Sequence, residues 1–452
     1  MRRTLALAAV ALASLAAAAV AALLCPVLRP EPPRQQGQQG VRAGGLRMTT
    51  QLDRRYLPES GGDAYLQIDL LADADPFARR RVPVNAVLIL DRSGSMTGAK
   101  LDRARDAARA LAQALSADDR LAIVEFGSEA SVLFPSSPMT ADARAQVLAA
   151  IDALQAMGGT NLSAAFDRAA PELWRGHAGG RTDKVFLASD GQANEGISDH
   201  AGLLRLAQRD FPGATLSTFG MGEDYDEDLM TAFAAQNGGR ARYLASPEVL
   251  PGAFRDELSR ASAAVARNVR VRIEGAAVLR VLGYQAEDNW VRVPDFAAGE
   301  ERRVLVKLRV PAGRGLAELG RVQLKFDDAS SGAGREAVAT VQGAYTADAG
   351  LLALAPTGAA VTGAKAEMAD LAQQAAQLQE AGRRDEAAAQ VSLLRGVAQR
   401  TARLAPAAAT PLMELAVDFG AEVSAIDGPG GAASKALKQK TFDAARAPVK
   451  GW

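Results

Sequence analysis

The sequence predicts an α/β fold with a doubly wound, mostly parallel sheet, and three observations carry that expectation. The apolar run Ala86-Val87-Leu88-Ile89-Leu90 is continuous rather than alternating, as a central strand covered on both faces requires. It stops at Asp91-Arg92-Ser93-Gly94-Ser95-Met96, and the next segment sets Leu101, Ala104, Ala108, Leu111 and Leu115 on one helical face. A second apolar run, Lys184-Val185-Phe186-Leu187-Ala188-Ser189, likewise ends in a carboxylate and a glycine, Asp190-Gly191. Strand, polar loop and helix, in that order, present chemistry at the carboxyl ends of parallel strands.

The remaining elements of this unit, residues 83–263, follow in chain order. Arg120 to Gly127 and Ser131 to Pro135 read as the second and third strands, the latter a short antiparallel edge. Ala141 to Ala156 and Asn161 to Trp174 have helical spacing, with Thr160 or Asn161 at the cap of the second. Helix Ser198 to Arg209 leads to strand Ala214 to Met221. The acids of Gly222-Glu223-Asp224-Tyr225-Asp226-Glu227-Asp228 read as cap and dipole partners of a helix over Leu229 to Gln236. Arg242-Tyr243-Leu244 is a last edge strand and Pro247 to Ala264 a last helix. In a six-stranded order 3-2-1-4-5-6, strands 1 and 4 flank the topological switch point, so Asp91 and Asp190 converge there. Met157-Gly158-Gly159-Thr160-Asn161 offers a further hydroxyl on a glycine-rich loop. A carboxylate with two hydroxyls at one strand end suits a hard divalent cation.

These segments, together with Asp118-Asp119-Arg120-Leu121 and Asp190-Gly191-Gln192-Ala193-Asn194-Glu195-Gly196, resemble the von Willebrand factor type A (VWA) domain and its metal-ion-dependent adhesion site (MIDAS) over about residues 84–261. The resemblance implies a Rossmann-like fold with five metal-site residues: Asp91, Ser93, Ser95, Thr160 and Asp190. It implies that Ser93 and Ser95 ligate through their hydroxyls, as does Thr160 in the ligand-ready state. Asp91 and Asp190 would then act through waters or through hydrogen bonds behind the ligands. The expected ion is Mg²⁺, with Mn²⁺ or Ca²⁺ as alternatives. Neutral hydroxyls next to the ion leave much of its charge exposed, so an Asp or Glu of a partner protein can replace a bound water. The expected activity is metal-dependent protein binding, adhesion or scaffolding, in the cell envelope. The alternative is an accessory or maturation factor for an envelope enzyme or an AAA-type ATPase.

Around this unit the chain reads as a split domain. Leu46 to Asp53 and Tyr65 to Leu71 look like strands, within residues 46–82. Val269–Ile273, Arg303–Val310, Val322–Phe326 and Val338–Val341 alternate in period two, within residues 264–346. Two strands alone cannot bury a core, so one antiparallel β-sandwich interrupted by the α/β domain is the economical arrangement. Residues 347–363, rich in Ala and Gly, read as a linker. Residues 364–424 read as an α-helical hairpin or bundle: Met368, Leu371, Ala375 and Leu378 face Val391, Leu394 and Val397, and a helix from Pro411 to Ser424 follows. Residues 425–452 read as a loose tail.

At the other end, Arg2-Arg3 precedes an apolar run from Thr4 to Leu24, an export signal or membrane anchor, with Ala19-Val20-Ala21 available as a cleavage site. Cys25 adds a lipoprotein reading, although Leu24 departs from the small residue such signals take. Residues 25–45 read as a flexible tether. The protein is therefore expected to be exported, periplasmic or at the surface. Its single cysteine leaves no intramolecular disulfide.

Composition narrows the function classes. With 23% charged and 48% hydrophobic residues the chain is globular, and 52 basic against 52 acidic residues give no footprint for nucleic acid. It has no G-x-x-x-x-G-K-[S/T] loop for a nucleotide, and Ser93 is not in a G-x-S-x-G elbow. A haloacid-dehalogenase-type phosphatase needs an Asp where Ser93 stands. His177 and His200 sit in polar stretches and read as solvated. A binding protein is expected, not an enzyme.

Overall fold

The computed structural model describes residues 39–73, 81–190, 192–221, 225–244, 247–284, 286–287, 289–354, 358–427, 431, 433–434, 436–438 and 440–441. The signal or anchor at 1–24, Cys25, most of the tether and the acids Glu223 and Asp224 lie outside the described residues. Among the described residues, no helix is long and apolar enough to cross a membrane.

The α/β unit holds a six-stranded sheet in the order Ala241–Leu244, Thr215–Met221, Thr182–Ser189, Val84–Asp91, Arg120–Phe126, Ala130–Pro138. This is the expected doubly wound order. Every pairing in it is parallel except the last. Every residue of Val84–Asp91 is buried because both faces of the strand are covered. Leu88 and Leu90 pack with the helices Ala99–Ala114 and Leu250–Ser262, through Leu101, Leu111 and Phe254. Val87 and Ile89 pack on the opposite side with Leu162–Gly176, His200–Asp210 and Glu227–Gln236, through Phe166, Leu203 and Phe233.

Local differences from the sequence expectation have physical causes. The edge strand runs nine residues, Ala130–Pro138, rather than Ser131 to Pro135. Pro135 and Pro138 are tolerated there because an edge strand leaves one side unpaired. The helix expected to reach Ala156 ends at Asp152, and the Met157 N–H donates instead to the Arg92 carbonyl at 2.6 Å. Asp226 caps the helix Glu227–Gln236 by accepting from the Leu229 N–H.

Two further sheets face one another. The five-stranded one runs Gln39–Ala43, Leu46–Leu52, Gly62–Ala72, Glu301–Val310, Ala277–Leu282. The other joins Ala264–Glu274, Gly315–Asp328 and Gly334–Thr346 with four short strands. Leu66, Ile68, Val304 and Val306 of the first share a core with Val271, Val322, Leu324 and Phe326 of the second. The strand before the α/β unit and the one after it pair directly, Leu66 opposite Val306 and Ile68 opposite Val304. Arg303 and Asp69 of those strands form an ion pair at 2.5 Å.

Three boundaries need correction. Gln39–Ala43, inside the expected tether 25–45, is a strand, because Gly44 at φ +49° turns the chain back onto Leu46–Leu52. The expected linker 347–363 contains the helix Ala349–Leu352 and the start of the helix Gly358–Glu380. Alanine is the strongest helix former, and Gly363 lets this helix lie on Tyr65, whose ring a Cβ would meet at 2.5 Å. The expected loose tail at 425–452 is helical at the described positions between 433 and 441, and Leu437 is buried with Phe419 and Leu412. The helices Arg384–Leu404 and Ala409–Ser424 complete this layer.

At the amino end of the parallel sheet, Lys184 and Glu257 form a buried pair at 2.8 Å, with Ser217 at 2.8 Å from Lys184 and 3.0 Å from Glu257. Burial alone would raise the Glu257 carboxyl, but the Lys184 and Arg240 charges outweigh it and hold the group at about 2. The stabilisation is therefore complete above the ordinary value of 4.5 and is lost as pH falls towards 2. Lys184→Met alone leaves a buried carboxylate unpaired and is expected to cost about 3–5 kcal/mol in chemical unfolding at pH 7. Combining it with Glu257→Leu should recover most of that loss. A double variant as unstable as the single one would contradict the pairing.

Candidate metal centre

The carboxyl ends of Val84–Asp91 and Thr182–Ser189 lie side by side, and the polar residues that follow them meet there. Asp91 is fully buried, and its two oxygens have separate duties. Oδ1 accepts from the Ser93 N–H at 2.8 Å, which folds the turn back on the strand, while Oδ2 accepts from the Ser189 hydroxyl of the neighbouring strand. Ser93 Oγ stands 3.0 Å from Ser95 Oγ, and the Ser95 hydroxyl donates to Asp190 Oδ1 at 2.8 Å. Asp190 Oδ2 accepts from the Lys100 ammonium. Four of the five expected residues are thus joined in one hydrogen-bonded chain.

Thr160 arrives differently. Its loop is clipped to the turn by main-chain bonds, Gly94 N–H to the Gly158 carbonyl at 2.9 Å and Met157 N–H to the Arg92 carbonyl. On its other side the Thr160 N–H donates to Asn194 Oδ1 at 2.9 Å and its carbonyl accepts from the Asn194 N–H at 3.0 Å. Thr160 is buried, yet no hydrogen bond among the described residues joins its hydroxyl to the other four side chains. The structure brings its loop to the turn and leaves the hydroxyl outside the chain of bonds.

The donor set fits a small hard cation. Adjacent oxygens of an octahedron with bonds of about 2.1 Å stand about 3 Å apart, and the Ser93 and Ser95 hydroxyls stand 3.0 Å apart. Burial pushes the Asp91 carboxyl above its ordinary range, against the hydrogen bonds from Ser189 and Ser93, and the nearby Asp190 adds to the rise. Such a pair of buried acids calls for positive charge. Part of it is present as the Lys100 ammonium, a stand-in cation on Asp190. Ser93 and Ser95 would hold a divalent ion directly, with Asp91 and Asp190 behind them.

Sequence reasoning missed several contributors. Ser189 and Lys100 touch the two carboxylates, and Asn194 with Glu195 and Ser128 holds the Thr160 loop, Ser128 Oγ donating to Glu195 at 3.0 Å. Lys100 had a signal: a cation in the first turn of a helix opposes the helix dipole and needs a nearby acid.

Residues 86–192 match the family model of the von Willebrand factor type A domain. An uncharacterized protein of Synechocystis sp. is 28% identical over 285 residues, 59% of this chain and 67% of that protein. Uncharacterized protein YfbK of Escherichia coli is 29% identical over 238 residues, 51% of this chain and 40% of its own length. The chain therefore spans about two thirds of the first relative and well under that of the second. Among solved structures, a von Willebrand factor type A protein from Catenulispora acidiphila shares the fold with a TM-score of 0.64 at 21% identity, over 84% of this chain and 91% of that one.

The approach of the Thr160 loop depends on Gly127, where an added Cβ would stand 2.3 Å from the Met157 carbonyl oxygen. Gly127→Ala is expected to cost about 1–3 kcal/mol in chemical unfolding, the usual range for overpacking. It should also speed amide exchange at Gly94 and Met157. Unchanged exchange at both amides would show that the loop is held by other contacts.

Proposed function

The chain carries a von Willebrand factor type A domain, and from that premise we propose that it is a metal-dependent protein-binding module that captures an Asp or Glu of a partner. The observation that carries this reading is the run Ser93–Ser95–Asp190, linked at 3.0 and 2.8 Å over the buried Asp91. When bound, a divalent ion, Mg²⁺ in the first instance, supplies an electrophilic position for the partner's carboxylate. The hydroxyls of Ser93 and Ser95 hold that position without neutralising it. Asp91 fixes the turn through the Ser93 N–H, and Asp190 orients the Ser95 hydroxyl. Met157, 63% exposed on the adjoining loop, offers the partner an apolar surface beside the site.

Binding rather than catalysis is the reading because, among the described residues, the site's hydroxyls donate to the carboxylates Asp91 and Asp190 and no histidine joins them. His177 and His200 pair instead with Asp183 at 2.5 Å and Asp226 at 2.7 Å. In this reading residues 83–263 are the binding domain, and 46–82 with 264–346 form one β-sandwich that carries it. The proposed location is the cell envelope, reached through residues 1–24, since Arg2-Arg3 before an apolar run orients the following chain outside the cytoplasm.

The test is a Mg²⁺ titration by calorimetry of the wild type and of Asp91→Ala and Ser95→Ala, with circular dichroism to confirm folding. Loss of affinity by tenfold or more in the variants is expected, on the scale of losing one charge-assisted contact. Equal affinity in all three would end the metal reading. Partner capture from a membrane fraction should disappear with EDTA, and capture that survives chelation would refute the carboxylate mechanism.

A further inference from the structure

Lys100 stands where the fold otherwise has reason to exclude a cation. It is the second residue of the helix Ala99–Ala114, in the first turn, where the helix dipole favours acids. The acid of that turn, Asp102, is already engaged by Arg105 at 2.8 Å. The Lys100 ammonium reaches instead across to Asp190, whose side chain is fully buried while that of Lys100 is 30% exposed. Asp190 therefore receives its two oxygens' worth of compensation from the Ser95 hydroxyl on Oδ1 and from Lys100 on Oδ2. The facing groups are the buried Asp91, which adds negative charge, and the hydroxyls of Ser93 and Ser189, which add none.

Resting on the metal reading above, we infer that Lys100 is a built-in counter-cation that competes with the divalent ion for Asp190 and so weakens the site's affinity for it. Two cations a few ångströms apart in a partly buried site repel strongly. Loading therefore requires the ammonium to leave Asp190, and its long, flexible, partly exposed stem gives it a path to water. The pair has two consequences of opposite sign. It stabilises the metal-free domain, because a buried carboxylate left alone is costly. By the same amount it opposes loading, because only the difference between the two states counts. A partner's carboxylate arriving with the ion replaces the negative charge that Lys100 gives up, so ion and partner bind better together than apart.

The experiment uses the full chain stripped with EDTA and dialysed, with MgCl₂ alone as the probe in calorimetry. Lys100→Met, of similar volume and no charge, is expected to bind Mg²⁺ on the order of tenfold more tightly than wild type, and Lys100→Arg to stay within about threefold of it. The midpoint of thermal unfolding should fall for Lys100→Met in EDTA and converge with wild type in saturating Mg²⁺. If Lys100→Met fails to fold without metal, Lys100→Gln serves, since its amide still donates to Asp190 without a charge. Wild type that binds Mg²⁺ while the uncharged variant binds equally or more weakly overturns the inference and leaves the metal reading standing. Absence of Mg²⁺ binding in wild type and variants alike overturns both.

Discussion

Two carboxylates, Asp91 and Asp190, are buried at the carboxyl ends of neighbouring parallel strands, and the polar structure around them answers that placement. Burying one acid is costly unless it is hydrogen-bonded, and burying two within reach of each other adds repulsion. The turn after Asp91 supplies the Ser93 main-chain N–H and the Ser95 hydroxyl, the neighbouring strand supplies the Ser189 hydroxyl, and the helix Ala99–Ala114 supplies Lys100. Three of these donors lie within residues 93–100, and the fourth, Ser189, lies on the neighbouring strand. The result is a rim whose buried acids are met by a main-chain N–H, two hydroxyls and one ammonium.

The rim is precise because what lies beneath it is rigid. Val84–Asp91 is buried along its whole length and hydrogen-bonded on both sides, so the Cα of Asp91 has little freedom. At the opposite end of the sheet the Lys184–Glu257 pair ties the neighbouring strand to the helix Leu250–Ser262. The paired sheets outside the α/β unit add a second restraint, since a strand that precedes the unit in the chain and one that follows it belong to one hydrogen-bonded layer. Residues 358–380 then lie across that layer, with Glu367 bonded to Tyr65 and paired to Lys307 at 2.8 Å.

Helix termini and loops show how weak local signals were overruled. Residues 347–363 read as a linker because Ala and Gly carry no amphipathic pattern, yet small residues suit a helix that must lie close to a sheet. Gln39–Ala43 has no strand signature, and pairing with Leu46–Leu52 makes it one. Leu437 carries too little periodicity around it to announce a helix, and a vacancy beside Phe419 and Leu412 gives it a place. In each case the deciding energy is contact with a partner far away in sequence.

By itself the sequence determined the strand order of the α/β unit and the two strand ends, at Asp91 and Asp190, that lie side by side in it. Continuous apolar runs ending in Asp-x-Ser-x-Ser and in Asp-Gly are local patterns, and local patterns survive in one dimension. Only the tertiary structure decided which oxygen meets which donor: that Ser95 reaches Asp190, that Ser189 reaches Asp91, that Thr160 is held through its main chain, and that Lys100 lies on the second carboxylate. Those choices depend on distances between segments separated by 34 to 98 residues. Such distances are set by how the whole sheet packs, and no single segment carries that information.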